Sequence, residues 1–188
     1  MRRYSIGIDP GRSAALAVVE HDDAPGRRLV FARSIYGGQA TREARLYEVI
    51  EEVASTIGVI RSRSGDVIGR PMADVWIELP AAGGASSTSR RNGWQVSVGR
   101  DIGRWEVLCL VYLGIAPKTI AANVWPRVAG VRCGKSKIDS GLHRVQEARL
   151  RLDGARCLSD DMIGESKASR ERRIARSEAA LIAFAGSK

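Results

Sequence analysis

Short apolar runs broken by turn residues open the chain. Tyr4 to Asp9 is apolar up to a terminal carboxylate and is followed by Pro10-Gly11, which predicts a strand running into a turn. Ala14 to Glu20 and Arg28 to Tyr36 repeat the pattern on either side of the turn-like Asp22-Asp23-Ala24-Pro25-Gly26, so an antiparallel meander of three strands is expected. From Thr41 the period lengthens. Leu46, Val49, Ile50, Val53, Ile57 and Ile60 recur at helical spacing with Glu43, Glu48, Glu51 and Glu52 between them, the pattern of an amphipathic helix. A polar loop follows, and then Ala73 to Leu79 reads as a buried strand that carries Glu78 just before Pro80.

Ala81 to Ser89 is small-residue loop, succeeded by Arg90-Arg91-Asn92-Gly93-Trp94 and a second long helix over Gln95 to Leu113. Thr119 to Val124 predicts a fifth strand cut by Pro126, and Val128 to Ser140 reads as a basic, Gly-bearing loop. Gly141 to Leu152 and Ser169 to Ala185 complete the set as helices. Three strands, helix, strand, helix, strand and helices in that order predict an α/β sheet with helices packed on it. No repeat or compositional break divides it, so residues 1–188 are expected to form a single domain.

Charge alters this picture more than composition does. With 44% hydrophobic residues a real core is expected, and with only 5% aromatics Ala, Val, Ile and Leu must fill it. Thirty Lys and Arg against 21 Asp and Glu give a net charge of +9. Such a surplus favours a polyanion, because each cation placed on a phosphate releases condensed counterions; a merely soluble, Arg-rich surface is the alternative. Cys109, Cys133 and Cys157 lie far apart with no CxxC pair, which argues against a disulfide framework and a zinc site. His21 and His143 are equally isolated, so any metal must be held by carboxylates. No apolar run suits a membrane span and no secretory leader opens the chain, so a cytoplasmic protein without a membrane partner is expected.

Three carboxylates stand out by position. Asp9 and Glu78 end apolar strands, and Glu178 lies on the last helix in Arg176-Ser177-Glu178-Ala179-Ala180-Leu181-Ile182. A carboxylate among apolar neighbours is costly unless paired or bound to a cation. Converging carboxylates suit Mg²⁺ or Mn²⁺, and two such ions can activate water and stabilise the leaving oxygen of a phosphodiester. Taken singly, each has an ordinary reading: a turn residue, a structural ion pair and a solvated helix position.

The segment Ile6-Gly7-Ile8-Asp9-Pro10-Gly11, the strand glutamate Glu78, the Asn92-Gly93-Trp94 step and the tail Ser177 to Ala183 together resemble RuvC-like Holliday junction resolvases. The similarity is closest to the phage-type and chloroplast branch and runs in order along nearly the whole chain. It implies an RNase H-like five-stranded mixed sheet, three antiparallel strands and then parallel ones, flanked by helices. It also implies an Mg²⁺- or Mn²⁺-dependent endonuclease, possession of a homodimeric form that cuts four-way DNA junctions symmetrically, and an origin open to phage as well as cell. Asp9, Glu78 and Glu178 would be its catalytic and metal-binding acids. The family places a further acid three to five positions before the last, where this chain has Arg173, Ile174 and Ala175. Glu171 is the nearest upstream acid but stands about 10 Å away along a helix axis, and Asp160 and Asp161 are other candidates. Two rival readings follow: an RNase H-like nuclease acting on RNA–DNA hybrids, and a junction-binding protein that has lost catalysis.

Basic residues supply candidate contacts to branched DNA. Arg90 and Arg91 precede the second long helix, on which Arg100 and Arg104 share a face. Trp94 is placed either to stack on an unpaired base or to anchor the helix start in the core. Arg132, Lys135 and Lys137 form a basic loop cluster, suited to phosphates or simply solvated. Ala129 to Ser136 looks like a P-loop but begins with Ala and lacks a strand-to-helix setting, so no nucleotide cofactor is expected. The basic run Lys167 to Arg173 reads as a phosphate-facing helix start.

Overall fold

The computed structural model describes residues 2–10, 14–21, 26–79, 99–131, 137–158 and 166–187. Strands β1 (Arg3–Asp9), β2 (Ala15–His21) and β3 (Arg27–Ser34) are followed by helix α1 (Gln39–Ile57) and a small hairpin of β4 (Ile60–Arg61) and β5 (Val67–Gly69). Strand β6 (Met72–Leu79) returns to the main sheet. Helix α2 is described over 99–108 and runs into a π-helical turn, Cys109–Leu113. Strand β7 (Lys118–Ala121) precedes helices α3 (Trp125–Ala129), α4 (Lys137–Arg151) and α5 (Lys167–Gly186). The main sheet has five strands in the order β3-β2-β1-β6-β7. β1, β2 and β3 pair antiparallel, while β6 and β7 join β1 in parallel, which is the mixed sheet expected.

Alternation along the strands separates two cores. Ile6, Ile8, Leu16, Val18, Val75 and Ile77 face α1 and α2, where Leu46, Val49, Ile50, Val53, Ile57 and Trp105 close over them. Ala15, Ala17 and Val19 face the other way, toward α3, α4 and the alanine-rich α5. The helical period that predicted α1 is therefore its buried stripe, with one correction. Gly58 takes a left-handed φ of +79° and ends the helix, so Ile60 falls beyond it in β4 and is 60% exposed.

Two further corrections concern the second half of the chain. The fifth strand stops at Ala121, and the stretch read as loop from Val128 is partly helical. Pro126 sits in the first turn of α3, where a missing N–H costs nothing, so the proline that cut the strand also starts a helix. Helix α4 begins at Lys137 rather than Gly141, which places Lys137 in a helix and not in a basic loop. Among the described residues no helix is long and apolar enough to cross a membrane.

Candidate active site

Asp9 and Glu78 sit side by side at the carboxyl ends of neighbouring parallel strands. The β1–β6 register pairs Ile8 with Ile77, and the acids are the next residues on each strand. Since Ile8 and Ile77 face α1, alternation turns Asp9 and Glu78 to the α5 face. Glycine at position 7 lets α5 lie directly on β1 there. A Cβ on Gly7 would come within 2.0 Å of the Ala179 carbonyl oxygen and 2.5 Å of the Ala183 nitrogen. Glu178, the residue before Ala179, is thereby carried toward the strand acids by a helix that lies against the β1 backbone. All three carboxylates are half-buried.

Two residues that sequence reasoning missed tie this site together. Trp125, at the start of α3, donates its indole N–H to Glu78 Oε2 at 3.1 Å. Arg144, on α4, forms an ion pair with Glu178, and its guanidinium lies 5.4 Å from the centre of the Trp125 ring. Side chains from β6, α3, α4 and α5 thus form one chain of contacts: Glu78, Trp125, Arg144, Glu178. Burial pushes the Glu78 carboxyl up to about 7, and the charge of Glu178 adds to the rise, while the Trp125 hydrogen bond and Arg144 oppose it. Burial and the neighbouring Glu178 charge therefore outweigh the available compensation at Glu78.

No protein-family model matches the chain, and no curated protein sequence matches it significantly. Solved structures do. Thermus thermophilus RuvC in complex with Holliday junction substrate superposes with a TM-score of 0.59 at 17% identity, covering 98% of this chain and 93% of that one. A second Thermus thermophilus RuvC structure gives a TM-score of 0.54 at 15% identity, over 97% and 96% of the two chains. The fold is that of RuvC. The likeness carried by the sequence motifs thus extends to the RNase H-like sheet and its flanking helices.

Within this RuvC-like fold the acids offer only oxygen donors, the set preferred by a hard divalent ion. Burial and the Glu178 charge raise the proton affinity of Glu78, and a cation at the strand ends would offset that cost. Asp9 and Glu78 offer carboxylate oxygens to such an ion at neighbouring strand ends, Glu78 while accepting the Trp125 N–H. Glu178 fits it only by releasing Arg144, and no group of three or more His, Cys, Asp or Glu is gathered tightly enough to hold a metal among the described residues. Of the positions where another acid was sought, Arg173 is fully buried and Ala175 is buried against the sheet. Glu171 is exposed on α5.

Of the expected DNA-contacting residues, Arg100, Arg104 and the backbone of Lys137 are among those described. Arg100 and Arg104 line a groove of about 430 Å³ with Glu43, Tyr47 and Val107, between α1 and α2 on the face away from the acids. Arg104 is engaged by Glu43 at 2.8 Å and Asp101 at 4.0 Å. Arg90, Arg91, Trp94, Arg132, Lys135, Asp160 and Asp161 lie outside the described residues.

Proposed function

We propose that this chain is a divalent-metal-dependent endonuclease that resolves four-way DNA junctions from the Asp9–Glu78–Glu178 site. The observation that supports it best is the adjacency of Asp9 and Glu78 at parallel strand ends, under the helix that brings Glu178, in the fold of RuvC. The solved RuvC structure in complex with a Holliday junction substrate and the +9 net charge favour branched DNA as the partner. In this reading Asp9 and Glu78 would hold Mg²⁺ or Mn²⁺, and Glu178 would join them if freed from Arg144. The bound ion supplies an activated water and stabilises charge on the leaving oxygen. The chain's own part is positioning: Trp125 fixes the Glu78 carboxylate by its N–H, and the bare Gly7 backbone lets α5 lie close beside the strand acids. Two copies acting as a homodimer inside the cell would cut opposing strands.

A second reading, a junction-binding protein weakened in catalysis, is favoured by the Arg144–Glu178 pair and by Ala175 where a further acid was sought. One assay separates them. Labelled four-way junction, duplex and RNA–DNA hybrid are incubated with Mg²⁺, Mn²⁺ or EDTA, beside Asp9→Asn and Glu78→Gln. The proposal expects metal-dependent cutting of junctions that both variants abolish. Tight junction binding without cutting in either metal establishes the second reading, and cutting of hybrids alone would replace both with an RNase H-like activity.

A further inference from the structure

Tyr36 lies just past the carboxyl end of β3, at the same end of the sheet as Asp9 and Glu78, and is 42% exposed. Two guanidiniums stand over its ring. That of Arg45, from α1, is 4.2 Å from the ring centre, and that of Arg172, from α5, is 4.3 Å. Each is also tied down: Arg45 donates to the Tyr36 carbonyl oxygen at 2.8 Å, and Arg172 to Ser169 Oγ at 3.0 Å. Neither has a carboxylate partner among the described residues, which distinguishes them from Arg28, Arg104, Arg144 and Arg151, all engaged by acids. Two held positive charges beside one ring repel each other, and an anion between or across them removes that cost. Stacking on the ring uses the flat of a guanidinium and leaves N–H edges for a phosphate.

The distance to the acids suggests which phosphate. Asp9, Ala15 and Ser34 stand in register across β1, β2 and β3, so Asp9 and Ser34 are about two strand spacings, or about 10 Å, apart. Tyr36 follows Ser34 closely in sequence. A separation of that order leaves the ring and its two guanidiniums within a few nucleotides' reach of the strand acids. We propose that Tyr36, Arg45 and Arg172 form a phosphodiester clamp that grips the DNA strand close to the bond placed at Asp9 and Glu78. The clamp bridges the helical layers on both faces of the sheet, since Arg45 comes from α1 and Arg172 from α5. This inference rests on the nuclease reading for its ligand.

The test is binding of a fluorescent four-way junction to the full chain in EDTA, followed by anisotropy across a salt series. Arg45→Gln/Arg172→Gln is expected to weaken binding about tenfold and to flatten the log–log salt dependence by about 1.8, the loss of two phosphate contacts. Arg45→Lys/Arg172→Lys keeps the charge and is expected to keep the slope. Tyr36→Ala leaves the charges but not their platform, and is expected to weaken binding with little change of slope. Arg63→Gln, which removes an exposed charge on the hairpin after α1, serves as a control and is expected to bind as wild type. Thermal unfolding checks that each variant is folded, and Arg172→Gln alone, at a half-buried position of α5, is expected to give about half of the slope change. An unchanged slope in folded Arg172→Gln, or an equal loss in Arg63→Gln, overturns the clamp while leaving the nuclease reading intact. Wild-type protein that binds no nucleic acid overturns both.

Discussion

On one face of the sheet the strands present Ile6, Ile8, Leu16, Val18 and Ile77 to α1 and α2; on the other they present Gly7, Ala15 and Ala17 to α5. Bulky aliphatic side chains bury the most area per residue and so carry most of the hydrophobic stabilisation. Small ones contribute less burial but let backbones touch. The contrast separates two tasks: the aliphatic face holds the fold, and the small-residue face brings a third carboxylate to the strand ends. The strand acids lie on the second face, the one against which α5 packs closely.

Gly7→Ala tests the close approach most severely. Its Cβ would meet the Ala179 backbone, so α5 must shift. A loss of about 5 kcal/mol or more is expected in denaturant titration, with cleavage lost even where protein remains folded. Ile50→Ala strikes the other face, at a fully buried position. A cost of about 3–4 kcal/mol is expected there, with cleavage per folded molecule preserved at low temperature. If both variants lose stability and cleavage in the same proportion, the division of tasks is wrong.

Glu78→Gln sharpens the comparison, because the site face stores an unfavourable charge. The folded-state value of about 7 lies above the ordinary glutamate value of 4.5, so protonated Glu78 favours the folded state. That contribution is full below about pH 4.5 and is lost as pH rises through 7. Glu78→Gln in EDTA is therefore expected to be more stable than wild type at pH 8, by up to about 3 kcal/mol, with the difference fading toward pH 4.5. A melting-temperature series across pH measures it. Arg144→Met has the smallest expected effect on stability, about 1 kcal/mol for a partly exposed pair. It is expected to move the Glu78 transition to higher pH, because Arg144 opposes the rise, and to tighten Mn²⁺ binding measured by EPR, because Glu178 is released.

The sheet was legible because each strand ends in a residue that breaks an apolar run, and the acids were legible because they are those residues. Periodicity also located α1, but it overran at Ile60, since an apolar residue in helical register looks the same on either side of the Gly58 cap. The α3 helix escaped notice because Pro126 marks both a strand's end and a helix's first turn. Arg144 carried no local signal: it is one basic residue on an amphipathic helix, and its role arises only when α4 meets α5. Trp125 and Tyr36 are similar cases. Their neighbours in sequence are unremarkable, and their partners come from other elements.

The contact between Gly7 and α5 also constrains how such a chain can diverge. At 17% identity to a protein of the same fold, few residues are shared, yet the approach at Gly7 couples positions near the two ends of the chain. Position 7 can enlarge only if the backbone at 179 and 183 withdraws, and withdrawal carries Glu178 away from Asp9. Drift at these sites should therefore be correlated rather than independent. Glycine two residues before a strand acid and small residues just after a helix acid are thus one steric constraint written at two distant places in the chain.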